Sequence, residues 1–185
     1  MWIWYVLAAV ICLVASCEYF AWRTGVPTIA SFPSARRTIL EALREAFASG
    51  DLPHGASILD LGSGSGKLSL CIAQAFPDAH VIGLELSWVP WAISVLRQRL
   101  LGVKNLRYIR ADFWPYDCSK IDAVVTYLTE NIIEKVGDKL KREMKSGAFV
   151  LANDTALRGD WIPVAARETG LFGMKVYVYR QGDRV

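Results

Sequence analysis

The stretch Ile58-Leu59-Asp60-Leu61-Gly62-Ser63-Gly64-Ser65-Gly66-Lys67 carries a short apolar strand, beginning at Ser57, into three glycines separated by single residues. Leu68 to Phe76 then has helical spacing, which Pro77-Asp78 ends. Glycine admits positive φ and lets a ligand approach the backbone closely. The first turn of the following helix presents free N–H groups and favours negative charge. Strand, glycine loop and helix in this order form a ligand cradle.

Working outward, Ala35 to Ala48 reads as an amphipathic helix, with Ile39, Leu40, Leu43, Ala46 and Phe47 on one face. Ala79 to Leu84 is a second apolar strand. A helix follows it to about Leu101, capped by Ser87, with Pro90 tolerated in its first turn. Leu106 to Arg110, Ile121 to Tyr127 and Gly147 to Asn153 are further strands, and a charged helix from Glu130 to Met144 joins the last two. Gly173 to Arg180 reads as a strand and Ile162 to Glu168 as a weaker one. Alternating strands and helices imply a mostly parallel, doubly wound α/β sheet of Rossmann-like type. The two last strands fit an antiparallel hairpin on its carboxyl-terminal edge.

Three ligand classes use a loop of this kind. A phosphate-binding P-loop has four residues between its glycines, then Lys and Ser/Thr. Here three residues separate Gly62 from Gly66, and Leu68 follows Lys67. A dinucleotide fold wants G-x-G-x-x-G, and Lys67 stands at the third glycine. S-adenosyl-L-methionine, an amino acid joined to a nucleoside without a pyrophosphate, fits better. Asp60, just before the first glycine, attracts its ammonium end, whereas an acid would repel a pyrophosphate. A tight turn without ligand is the bland alternative. Glu85 ends the second strand 25 residues after Asp60, where a carboxylate can accept from both ribose hydroxyls. Asp112, after the third strand, can accept from the adenine amino group. Trp88 and Phe113 either flank the adenine or pack in the core. Asp60, Gly62, Gly64, Gly66, Glu85 and Asp112 are thus the expected cofactor-binding residues.

In open α/β sheets ligands lie beyond the carboxyl ends of the strands. The acceptor chemistry is therefore expected after the fourth strand, with Tyr127 as channel wall or amine acceptor and Glu130 as the second candidate. No Asn-Pro-Pro-Tyr type segment occurs, which argues against nucleobase or glutamine amides as acceptors. The net charge is +3 with no long run of like charges, so no nucleic-acid arm is expected. Cys12, Cys17, Cys71 and Cys118 have no metal-ligand spacing, and His54 and His80 are isolated. No metal site is expected.

At 185 residues the chain suits one ordinary domain. Its mean hydropathy of +0.26 is raised by residues 1–22, whose one charge is Glu18. Twenty-two helical residues reach roughly 33 Å, enough to cross a hydrocarbon core. Trp2, Trp4 and Tyr5 mark one end and Tyr19, Phe20 and Trp22 the other, while Arg23, Arg36 and Arg37 follow. This pattern predicts a transmembrane anchor over 1–22, a connector over 23–34 and a catalytic domain over 35–185. The domain is then expected on the cytoplasmic or mitochondrial matrix side. A cleaved signal, a lipoprotein box at Val14-Ala15-Ser16-Cys17 and a core helix are the rival readings. In the connector, Phe32-Pro33-Ser34 is a candidate lid.

From Ala35 to Arg180 the chain resembles the seven-strand S-adenosylmethionine-dependent methyltransferases, on Asp60-Leu61-Gly62-Ser63-Gly64-Ser65-Gly66 and Glu85. It is similar, more narrowly, to the small membrane-anchored protein-lysine methyltransferases of the mitochondrial ATP-synthase c-subunit and ADP/ATP-carrier type and their bacterial relatives. The shared features are an apolar N-terminal helix, Pro33-Ser34, Asp112-Phe113-Trp114 and a short ending without a full helix after the fifth strand. That family often has Asp where Ser65 stands, and a more apolar stretch than Thr126-Tyr127-Leu128-Thr129-Glu130. The resemblance implies N-methylation of a lysine on a membrane protein, with the membrane itself as a partner through the N-terminal helix. A small-molecule or lipid-headgroup methyltransferase, or a non-catalytic cofactor-binding module, is the alternative.

Overall fold

The computed structural model describes residues 1–8, 19, 31–170 and 173–182. The chain order is α1 (Pro33–Ala48), β1 (Ser57–Leu61), α2 (Lys67–Ala75), β2 (His80–Glu85), α3 (Trp88–Leu100) and β3 (Leu106–Arg110). It continues with β4 (Ala123–Thr126), α4 (Glu130–Glu143), β5 (Phe149–Asn153), β6 (Ala165–Glu168) and β7 (Lys175–Arg180). The strands form one seven-stranded sheet in the order β3-β2-β1-β4-β5-β7-β6. The first five are mutually parallel, and β7 pairs antiparallel with both β5 and β6. The mixed Rossmann-like sheet with an antiparallel edge hairpin is therefore observed as expected.

Side-chain alternation along the strands sorts the core into two layers. Ile58, Val81, Val125 and Leu151 face α1, α2 and α3 through Ile39, Leu43, Ile72 and Val95. Leu59, Leu84, Val124 and Val150 face the other way and meet Ile133, Val136 and Leu140 of α4. Among the described residues, three helices thus cover one face and one helix the other. Two loops complete the thin side. The loop after β3 is tied down by Lys139, a 2% exposed cation whose Nζ donates to the Tyr116 carbonyl at 2.7 Å and to both Glu143 oxygens at 2.5 and 2.6 Å. The loop after β5 is held by Trp161, whose Nε1 donates to the Gly137 carbonyl at 3.0 Å. Gly137 leaves room for it, since a Cβ there would stand 3.2 Å from the indole. The chain needs no helix after β5 because Leu157 and Trp161 fill that space.

Three expectations are corrected. The anchor over 1–22 and the connector over 23–34 fall largely outside the described residues. Among the described residues no helix is long and apolar enough to cross a membrane. This overturns the single-pass localisation, with its catalytic domain on a cytoplasmic or matrix side, and the membrane partner drawn from it. Second, α1 begins at Pro33, not Ala35, so Pro33 and Ser34, read as connector, form its first turn. Proline suits that position because its missing N–H would have no intrahelical partner. Third, Ser87 occupies the N-cap of α3, yet its side chain makes no capping bond. Its backbone N–H donates instead to Glu85 Oε1 at 2.7 Å.

Candidate active site

The glycine loop lies at the carboxyl edge of the sheet between β1 and α2. Its three glycines all have positive φ: +73° at Gly62, +54° at Gly64 and +77° at Gly66. They do different work. A Cβ on Gly64 would meet nothing within 4 Å, so the backbone there faces open space. A Cβ on Gly66 would lie 2.3 Å from the Tyr108 hydroxyl and 2.7 Å from Ser94 Cβ. Gly66 therefore makes room for the side chain that locks β3 against the loop: Tyr108 donates from its hydroxyl to the Gly66 carbonyl at 2.6 Å. Gly83 completes the slot, with a would-be Cβ 2.6 Å from the same ring. The Ser63 N–H donates to the Leu84 carbonyl at 2.8 Å, and Arg97 donates from its guanidinium to the Ser65 carbonyl. The loop is thus held from β2, β3 and α3 at once.

Two carboxylates flank it. Glu85, half-buried at the end of β2, accepts from the Gly64 N–H at 2.8 Å and from Ser87. These bonds fix the carboxylate beside the open side of the loop. Asp60 lies beneath, 4% exposed, and accepts from the Ser69 hydroxyl at 2.5 Å. Burial pushes its carboxyl up to about 6; the Ser69 hydroxyl pulls it down, and the charge of Glu85 pushes it further up. Asp60 thereby also ties the first turn of α2 to β1, a turn with no side-chain cap of its own.

Asp112 is exposed after β3 and accepts from the Trp114 N–H at 3.0 Å. The strand leading to it is paired with the strand of Glu85, and the Ala111 N–H donates to the Glu85 carbonyl at 3.1 Å. Trp88 is 53% exposed at the start of α3, with the Arg110 guanidinium 3.9 Å above its ring, whereas Phe113 packs against the α4-side core. Tyr127 follows β4 directly. Burial raises its phenol above the ordinary tyrosine range, and the charge of Asp154 adds to that. Glu130 stands in solvent on the first turn of α4 and pairs with Arg158 at 3.3 Å. Asn153, at the end of β5, was not singled out from sequence. It is 1% exposed, and neither side-chain amide atom has a partner. Its signal was faint: one polar residue closing the apolar run Phe149-Val150-Leu151-Ala152.

The donor set fits a cationic adenosyl amino acid. The open backbone at Gly64 gives it room, and the acids beside that opening suit a diol and an ammonium where a polyphosphate would be repelled.

The profile of the ANTKMT methyltransferase domain matches residues 60–165, more than half of the chain. The chain belongs to the ANTKMT methyltransferase domain family. The matched region of this methyltransferase opens on Asp60 and contains Glu85, Asp112, Tyr127 and Asn153. The chain is 25% identical over 166 residues to a protein-lysine N-methyltransferase of Saccharolobus islandicus, covering 85% of this chain and 97% of that one. It is 29% identical over 111 residues to an adenine nucleotide translocase lysine N-methyltransferase of Mus musculus, covering 58% and 47%. An RNA methyltransferase from Salinibacter ruber, solved with S-adenosyl-L-homocysteine, superposes with a TM-score of 0.70 at 20% identity over 85% of this chain and 96% of its own. That last likeness shows the shared fold.

The raised Asp60 value has a measurable consequence for this methyltransferase. A bound cation favours the ionised carboxylate. A carboxyl titrating near 6 is only about one-tenth ionised one pH unit lower. Affinity for S-adenosyl-L-methionine is therefore expected to fall about tenfold between pH 7 and pH 5 in calorimetric titrations, and Asp60→Asn to flatten that dependence. A flat wild-type profile contradicts the assignment. Without ligand the same shift acts on the fold in the opposite sense. The folded chain holds a proton that the unfolded chain has released, so this stabilisation is complete below the ordinary carboxyl value of 3.8 and is lost as pH rises through about 6.

Proposed function

We propose that this methyltransferase N-methylates a lysine side chain of a protein, using S-adenosyl-L-methionine. The observation that carries the reading is the Glu85 carboxylate, set by two backbone N–H groups beside an open glycine loop. In this reading Glu85 receives the ribose hydroxyls, Asp60 attracts the amino-acid end, and Asp112 accepts from the adenine. Gly62 and Gly64 let the cofactor approach, and Gly66 holds the loop in shape. The lysine acceptor is supported by the two relatives named for that activity. A membrane protein as the carrier of that lysine is the finer reading, and it rests on the similarity to the translocase enzyme.

The cofactor, when bound, supplies a methyl group on a sulfonium, and the protein supplies alignment and the protonation state of the acceptor. Orientation alone contributes about 7–11 kcal/mol in favourable cases. At pH 7 a lysine with an ordinary value near 10.4 needs about 4.6 kcal/mol to reach its neutral, nucleophilic form. A site with low water content lowers that cost. The partial burial that raises the Tyr127 phenol supports partly desolvated surroundings beyond β4. Tyr127 is neutral at physiological pH. It serves as a wall and a hydrogen-bonding partner for the amine, while the proton leaves to solvent. Glu130, engaged with Arg158, is the less suited of the two candidates.

The test is incubation of cell extract with cofactor labelled on the methyl group. Label is expected in protein bands, and mass spectrometry is expected to place it on lysine ε-nitrogens. Glu85→Ala serves as the control that removes it. Label confined to the lipid extract or to small molecules overturns the lysine reading.

A further inference from the structure

Buried polar side chains are nearly always hydrogen-bonded, so an exception asks for a reason. Asn153 is the clearest exception on the sheet face that carries Asp60. Its backbone stands opposite Val176 in the β5–β7 ladder, and its carbonyl accepts from the Thr155 N–H at 2.8 Å. Its carboxamide has one acceptor and two donors, all unused, at 1% exposure. Asp60, Val125 and Leu151 stand in register across β1, β4 and β5. Asn153 lies two residues beyond Leu151 on the same face. That is about 7 Å further toward the carboxyl edge and roughly 10 Å across from β1, by ordinary strand dimensions. The next residue, Asp154, has a φ of +66°, a left-handed conformation uncommon outside glycine. It fixes the turn directly after Asn153, and its charge is felt by Tyr127. An unpartnered amide, a strained turn and a desolvated phenol thus meet at the ends of β4 and β5, beside the proposed cofactor cradle.

We infer that the Asn153 carboxamide is the seat of the acceptor amine, its oxygen accepting one N–H of the incoming lysine nitrogen. This rests on the lysine reading above. A neutral amide suits the task better than a carboxylate. A carboxylate would stabilise the ammonium and hold back the proton that must leave before attack. The amine, once neutral, forms its N–CH3 bond as the S–CH3 bond breaks. The electron pair stays on sulfur, the positive charge passes to nitrogen, and the methylammonium later loses a proton to water. The neutral nitrogen has two N–H bonds before the first transfer, one before the second and none before the third. Asn153 therefore assists the first two transfers and not the third.

The test uses the full chain with oligolysine peptides carrying unmodified, monomethylated or dimethylated lysine. Asn153→Leu, nearly the same in size, is expected to slow transfer to the first two roughly ten- to a hundredfold and to leave transfer to the dimethylated peptide near wild type. The cofactor-free Asn153→Leu chain is expected to melt at or above the wild-type temperature, since the variant removes unpaired buried atoms. Asn153→Asp is expected to move the pH optimum upward. Wild-type transfer that Asn153→Leu leaves intact, or slows equally on all three peptides with a lowered melting temperature, overturns the inference and leaves the lysine reading standing. A wild-type chain that methylates none of the three peptides overturns the lysine reading, and this inference with it.

Discussion

Glu85→Ala is expected to weaken cofactor binding by about two to four orders of magnitude. In the proposed reading the variant removes an anionic acceptor for two ribose hydroxyls, and hydrogen bonds to a charged group contribute roughly 1.5–3 kcal/mol each. Two of them amount to about 3–6 kcal/mol, at 1.4 kcal/mol per tenfold. The same carboxylate also accepts from Gly64 and Ser87, so its loss frees two backbone N–H groups and loosens the cradle. Glu85→Gln separates the two contributions. It keeps an oxygen for the Gly64 N–H but loses the charge, and its affinity is expected to fall between those of Glu85→Ala and the wild type. Isothermal titration with S-adenosyl-L-homocysteine measures all three. Less than a fivefold change in Glu85→Ala would falsify the ribose assignment.

The other large effect falls on stability. Gly66→Ala places a methyl group 2.3 Å from the Tyr108 hydroxyl, at a φ of +77°. The left-handed conformation costs an alanine about 1–2 kcal/mol. Overpacking in a full interior costs about 1–3 more. Tyr108 has no easy retreat, because its hydroxyl is bonded to the Gly66 carbonyl and its ring fills the slot over Gly83. The variant is expected to lose about 2–5 kcal/mol, visible as a melting temperature lowered by about 4–20 °C at this chain length. Gly64→Ala is the informative companion. Its φ of +54° carries the conformational cost, but the methyl meets nothing within 4 Å. It is expected to melt within a few degrees of wild type while binding cofactor at least tenfold more weakly, because its methyl projects into the ligand's path. Equal melting temperatures for the two variants would remove the distinction drawn between a packing glycine and a cradle glycine.

The sequence by itself determined the alternation of strands and helices, the glycine turn after β1 and the acids at Asp60, Glu85 and Asp112. These features depend on interactions within a few residues: apolar spacing, positive φ in adjacent glycines, a carboxylate at a strand end. The local signal failed where a residue answers to distant partners. Ser87 looked like a cap, but Glu85 engages its N–H and the hydroxyl makes no capping bond. Glu130 stands alone in the local sequence, but it pairs with Arg158, 28 residues on. The apolar start suggested a membrane span that the described residues do not contain. Only the tertiary structure decided that Gly66 yields to Tyr108, 42 residues away, and that Asn153 reaches the edge of β5 with its amide unsatisfied. Such features arise when the sheet places β5 two strands from β1 and excludes other partners, and this long-range packing leaves no periodicity in the chain for the eye to follow.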